Sequence, residues 1–154
     1  MAARRAHPHR DTDVIDSRAP RVNQAVIGSL ALVAFLAWAE WLVGLLALQL
    51  VVGLVFGRRF CLPCVLYFEV IQPRLGEGPL EDSRPPRFAN AVGASFLGAA
   101  TVAFLAGIEW LGWGLSLTVA ALALLAAASG FCVGCKFYMV IARLRRLGIE
   151  RRPA

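Results

Sequence analysis

Four stretches of this chain carry no Asp, Glu, Lys or Arg: Val22–Ala39 (18 residues), Trp41–Gly57 (17), Phe88–Ile108 (21) and Trp110–Cys135 (26). A bilayer core about 30 Å thick needs roughly 20 helical residues, with about 17 as the lower limit. Each stretch is long enough to cross once and too short to cross twice. The first two cannot fuse, because a helix over Val22–Gly57 would reach about 54 Å at about 1.5 Å per residue. The chain must turn near Glu40. The same argument sets a turn near Glu109, where Gly112 and Gly114 loosen the helix. With 58% apolar residues, the composition also departs from that of a soluble domain. The expected fold is an all-α membrane protein of four transmembrane helices in two tight hairpins.

The chain is also written twice. Asp16-Ser-Arg-Ala-Pro-Arg21 returns as Asp82-Ser-Arg-Pro-Pro-Arg87, AFLAWAEWL (34–42) as AFLAGIEWL (103–111), and Phe60-Cys-x-x-Cys-x-x-Tyr67 as Phe131-Cys-x-x-Cys-x-x-Tyr138. The offsets are 66, 69 and 71, so the second copy is slightly longer between motifs. A repeat in constant order implies one structural unit packed against its duplicate. Because each copy crosses twice, both have the same orientation, so they form a parallel repeat about an axis along the membrane normal.

Charge sets the orientation. All 16 Lys and Arg fall in the N-terminal segment, the middle segment and the C-terminal end, and none falls at the hairpin tips. Cationic loops stay in the cytoplasm, so both termini and the middle segment are expected there, in a multi-pass protein of the inner (plasma) membrane. Trp38, Trp41, Trp110 and Trp113 sit at the opposite tips, where an interfacial belt would hold them. The net charge of +6 is then a topological signal. It suits anionic headgroups rather than nucleic acid, since no basic–aromatic interleaving accompanies it.

The expected organisation is a disordered cytoplasmic tail over 1–15, a first hairpin repeat over 16–71, a linker over 72–81, a second repeat over 82–147 and a short tail over 148–154. Ala37-Trp38-Ala39 fits a signal-cleavage pattern, but the preceding span is long for a signal core and has an internal duplicate. His7 and His9 lie in the tail without partner ligands. Residues 64–71 and 136–147 read as helices at the membrane surface, the latter alternatively as a continuation of the fourth span. Gly53-x-x-x-Gly57 and the row Ala120, Ala123, Ala127, Gly130 suit close helix packing, within the chain in preference to a homodimer.

All four cysteines lie in the two C-x-x-C pairs, Cys61 with Cys64 and Cys132 with Cys135, each just beyond a span at the expected cytoplasmic boundary. Cysteines three apart share a helix face or a tight turn, within reach of a disulfide or of one metal ion. Arg58, Arg59 and Lys136 flank the pairs, and Pro63 and Gly134 interrupt the helix inside them. A helix starting there would add its N-terminal dipole to the neighbouring cations, and both lower a thiol pKa. Three functional readings follow. The pairs are redox dithiols that exchange electrons with a cytosolic thioredoxin-like protein, or pass sulfane sulfur to a sulfur-carrier protein. Alternatively, the repeat axis gathers all four into one Cys₄ site for zinc or an iron–sulfur cluster. In the third reading the chain is a non-catalytic scaffold or carrier. On the redox reading, Cys132 and Cys135 are the principal pair, and Cys135→Ser is expected to abolish exchange.

Cytoplasmic pairs argue against stable structural disulfides. They also argue against a quinone-linked oxidase of the kind whose working cysteines face outward. The spans hold no ionisable residue, which counts against an ion-coupled transporter. Gln49, Asn23 and Gln24 read as helix-to-helix hydrogen-bonding groups, and Glu40 and Glu109 as caps of the outer turns.

Three motifs resemble a small bacterial membrane family known as domain of unknown function 4395. They are Asp16-x-Arg18-x-x-Arg21-x-Asn23-Gln24, Pro85-Pro-Arg-Phe-Ala89 and Gly130-Phe-Cys-x-Gly-Cys-x-x-Tyr138. The closing motif is the most specific of the three. The resemblance spans nearly the whole chain beyond the tail. It implies a four-span integral membrane protein, some of whose relatives are associated with thioredoxin-like or sulfur-handling proteins. It implies no reaction.

Overall fold

In the computed structural model, residues 14–76, 78–130 and 132–150 are described. Of the expected tails over 1–15 and 148–154, residues 1–13 and 151–154 lie outside them. The order is strand β1 (Val14–Asp16), helix α1 (Arg18–Leu36), α2 (Glu40–Val55), a single 3₁₀ turn (Arg58–Phe60), α3 (Leu62–Leu66), a wide π turn (Tyr67–Ile71) and α4 (Gln72–Leu75). Strand β2 (Leu80–Asp82), α5 (Arg84–Leu105), α6 (Glu109–Ser129) and α7 (Val133–Glu150) follow.

Helices α1, α5 and α6 are each long and apolar enough to cross a membrane, while α2, also apolar, has only 16 residues. That is about 24 Å against a core of about 30 Å. The second charge-free stretch thus yields a shorter helix than expected. It stops because Gly57 adopts φ +86° and the chain folds into the 3₁₀ turn.

α1 packs on α2 and α6, and α5 packs on α2, α6 and α7. Between them lies a core fed by regular stripes: Ile27, Ala31 and Ala34 from α1, Val43, Leu46 and Leu50 from α2, and Ala94, Leu97 and Phe104 from α5. The spacing of three and four residues is that of one helix face. Six of the core's thirteen residues are alanines, which let the helices approach closely. The outer surface is also apolar: Leu105 is 85% exposed and Leu48 58%. Lipid, rather than water, is the solvent that tolerates such a surface.

The two hairpin turns are built alike. Ala39 N–H donates to Ala34 O at 2.9 Å, and Ile108 N–H to Ala103 O at 2.8 Å. Each turn needs one left-handed residue, a usual way to end a helix. The second copy supplies Gly107 at φ +75°, and the first supplies Trp38 at φ +51°. A Cβ is disfavoured there, yet Trp38 is held by edge contacts to Trp113 (5.8 Å between centroids) and stacking on Phe35 (6.4 Å). Glu40 and Glu109 open α2 and α6, where a carboxylate complements the helix N-terminus. Of the four tryptophans expected in an interfacial belt, Trp38, Trp41 and Trp110 are exposed. Trp113 departs from that expectation. It is buried against Phe104, with ring centroids 4.8 Å apart, because it lies one turn inside α6 on the core face.

At the opposite end, β1 and β2 pair antiparallel with Ile15 opposite Glu81. Asp16 anchors this end. Its carboxylate is buried and accepts from Tyr67 O–H at 2.7 Å, Gly78 N–H at 2.9 Å and Arg18 N–H at 3.0 Å. The residues read as a linker therefore contribute α4 and part of β2.

Candidate functional site

Both C-x-x-C pairs occupy the same local frame. Cys61 precedes α3 and Cys132 precedes α7, so each first cysteine is the cap of the helix that carries the second. Val65 N–H donates to Cys61 O at 2.9 Å, and Lys136 N–H to Cys132 O at 3.0 Å. The chain is set up for this by two breaks. Gly57 ends the first repeat's long helix segment, and Gly130, left-handed at φ +68°, ends α6. A new helix then starts immediately after the first cysteine, and α7 is a separate helix rather than an extension of α6. All four cysteines are free thiols.

The two first cysteines differ in what faces them. Cys132 Sγ accepts two N–H groups, from the Cys135 backbone and from Gln24 Nε2 on α1, each at 3.3 Å. Donors aimed at sulfur favour the thiolate. The Cys132 thiol is lowered to about 6, foremost by hydrogen bonding from the Cys135 side chain, against the opposing effect of burial. The backbone of Cys135 and the Gln24 amide add to the lowering. Cys135 is pushed well above the usual thiol range, first because its proton is held by Cys132 and then by burial, by the Cys132 charge and by Glu81. Cys61 is also lowered, chiefly by hydrogen bonding from Cys64 and against burial. Its cross-helix partner, however, is an acceptor: Cys61 Sγ donates to Asn23 Oδ1 at 3.6 Å, which favours the neutral thiol. Donors, rather than the flanking cations expected from the sequence, account for the lowered thiols.

Access differs as well. Cys61 and Cys64 are buried, and Cys132 and Cys135 only partly so. Gly53 on α2 makes room for Cys61, since a Cβ there would sit 3.3 Å from the Cys61 Cβ. Tyr67, buried on Asp16, closes the first copy. Its counterpart Tyr138 instead packs on Phe88, with centroids 5.6 Å apart.

Each pair borders a cavity. One of about 260 Å³ lies among α1, α5, α6 and α7 and reaches Cys132. Another of about 220 Å³ lies among α1, α2 and α5 and reaches Cys61 and Cys64. Asn23 and Asn90 border both. Among the described residues, no three His, Cys, Asp or Glu side chains come close enough to hold one metal ion. The four sulfurs stand as two pairs, one beside each cavity.

Gln24 is the site residue that sequence reasoning missed. It was read as a helix-packing amide, and nothing local to it signals a sulfur 108 positions away. Gln49, read the same way, holds the turn before Cys61 by donating to Phe60 O at 3.0 Å.

No curated protein and no solved structure matches the chain. A family model does match, over residues 15–143, and covers both hairpins and both cysteine pairs. The chain belongs to the family described as domain of unknown function DUF4395.

Proposed function

We propose that this protein is a multi-pass membrane component of thiol exchange, with Cys132 as the attacking sulfur and Cys135 as the resolving one. The observation that carries this is the setting of Cys132: a helix cap, two N–H donors at 3.3 Å and a thiol lowered to about 6. Such a sulfur is largely thiolate at neutral pH, and the thiolate is the nucleophile. Its neighbour keeps a proton and is spared until needed.

In the exchange, Cys132 Sγ⁻ attacks one sulfur of a partner's disulfide. That S–S bond breaks, a mixed disulfide forms and the partner's other sulfur leaves as a thiolate. Cys135 then loses its proton and attacks Cys132 Sγ. The Cys132–Cys135 disulfide forms, and the partner leaves as a dithiol. Run in reverse, the same steps oxidise a partner dithiol.

The membrane reading extends to four spans: α1, α2, α5 and α6. Support comes from the matched hairpin turns, from α2 packing on α1 and α5 as α6 packs on α5 and α1, and from Ile15 facing Glu81, its counterpart at an offset of 66. A twofold axis along the membrane normal through that strand pair relates the two copies. The 16-residue α2 spans by local thinning of the bilayer. On this reading both termini and both cysteine pairs lie at the cytoplasmic face of the plasma membrane, which the cation distribution supports. The partner is then a cytosolic thioredoxin-like protein or sulfur carrier.

Trapping tests the proposal. Cys135→Ser should accumulate a mixed disulfide with a thioredoxin-like protein, and Cys132→Ser should form none. Cys135→Ser thus stops exchange at the mixed disulfide, a later point than the expectation that its loss abolishes exchange outright. Equal trapping by both variants would refute the assignment. Stoichiometric zinc or iron in the purified protein, lost on replacing either pair, would replace it with a metal reading.

A further inference from the structure

The larger cavity has a chemistry of its own. It borders α5 from Phe88 to Phe96, about 12 Å of helix. Much of its lining is apolar, including Val119 and Leu122 of α6 and Phe96 of α5. Several lining residues, Val92, Phe96, Leu122 and Phe137, are exposed on the outside of the molecule. The mouth therefore opens through the same apolar surface that faces lipid. The lining also holds three amides, Asn23, Gln24 and Asn90, together with Cys132, to which Gln24 donates. Asn90 Oδ1 is engaged by Asn23 Nδ2 at 3.2 Å, and among the described residues nothing accepts from Asn90 Nδ2. A mostly apolar pocket with a few convergent polar groups is the usual form of a small-molecule site.

We propose that this cavity binds the head ring of a membrane-soluble quinone, which serves as electron acceptor for Cys132 and Cys135. The acceptor role rests on the thiol reading above. Entry from the bilayer selects a lipid-soluble ligand, and Phe88 and Phe96 offer faces for a flat ring. The amide N–H of Asn90 suits its carbonyl oxygen, and a saturated acyl chain would leave that donor unpaired. When the quinone reacts, the Cys132 thiolate and the Cys135 thiol join as a disulfide. Two electrons pass to the ring, one proton comes from Cys135 and a second from solvent, and the ligand leaves as quinol. A partner dithiol then reduces the disulfide and is itself oxidised. The sequence argued against a quinone-linked oxidase working on outward-facing cysteines, whereas this cavity meets the pair at the other end of the bundle.

Binding and electron transfer are tested separately. A photoreactive benzoquinone with a short isoprenoid tail is applied to the purified Cys132→Ser/Cys135→Ser protein in lipid nanodiscs. The label should map to α5 and α6 residues of the cavity and be competed by unlabelled quinone but not by a saturated fatty acid. Gly93→Leu and Ala123→Leu, which fill the cavity, should each cut labelling about tenfold while the thermal midpoint confirms folding. Labelling elsewhere, equal competition by the fatty acid, or indifference to both fillings would overturn the site. In the second arm, reduced wild-type protein without oxygen should lose two thiols per quinol formed. Binding without thiol loss would overturn the acceptor role. The mixed-disulfide trap uses no quinone, so it shows independently whether the thiol reading has failed.

Discussion

Asn23 Nδ2 donates to Asn90 Oδ1 at 3.2 Å, joining α1 to α5 at the point where the two cavities meet. One amide pair, buried Asn23 with half-buried Asn90, thus stands between the buried cysteines of the first copy and the more open ones of the second. Asn23 also accepts from Cys61, so the same side chain ties the partition to a sulfur.

Removing either amide should therefore loosen both halves. Asn23→Leu and Asn90→Leu are each expected to cost about 1 kcal/mol, with the double variant less destabilised than the sum. Unfolding in detergent followed by circular dichroism would check this. Additive losses would mean that the two side chains do not interact.

The Gln24 donor makes a pH prediction. Alkylation of Cys132 should follow its ionisation, with a midpoint of about 6. Gln24→Leu withdraws an N–H from the thiolate, so the midpoint should rise and the rate at pH 6 should fall. The folded thiol lies below its ordinary value of 9.0, so folding releases a proton between those two values. Stability from this group is complete above about 9 and lost as pH falls through about 6. Wild type should gain thermal stability over Cys132→Ala across that window as pH rises.

Tyr67 and Asp16 hold the strand end of the molecule. Tyr67→Phe removes a buried 2.7 Å hydrogen bond from a carboxylate and should cost about 1–3 kcal/mol. It should also unseat the first pair, making Cys64 react faster with a small maleimide. Unchanged reactivity would show that Tyr67 does not guard it.

The two hairpin tips predict unequal tolerance. Gly107→Ala places a Cβ in the left-handed region and should cost about 1–2 kcal/mol. Trp38→Gly relieves the same strain but loses ring contacts worth about 0.5–1.5 kcal/mol each. Its thermal midpoint should stay near wild type.

Much of the architecture was legible in the linear chain. Runs without charge marked the apolar helices, the duplicated AFLA-x-x-EWL marked both turns, and Pro63 and Gly134 inside the Cys-x-x-Cys pairs pointed to helix breaks near the cysteines. These signals are local, since helix periodicity, breakers and charge exclusion from lipid act within a few turns of chain. The length of α2 was less legible, because the left-handed turn at Gly57 ended it early. Trp113 was misread as interfacial because one turn of helix separates a tip residue from a core one.

The chemistry of the cysteines was decided in three dimensions. Equivalent motifs meet opposite groups: Cys132 an amide N–H of Gln24, Cys61 an amide oxygen of Asn23. Which side of an amide reaches a sulfur depends on how α1 sits against each repeat, and neighbouring positions on one helix point in different directions. Hydrogen bonds of about 3 Å discriminate at that scale. The residue order states only that both sulfurs lie at the same end of the bundle.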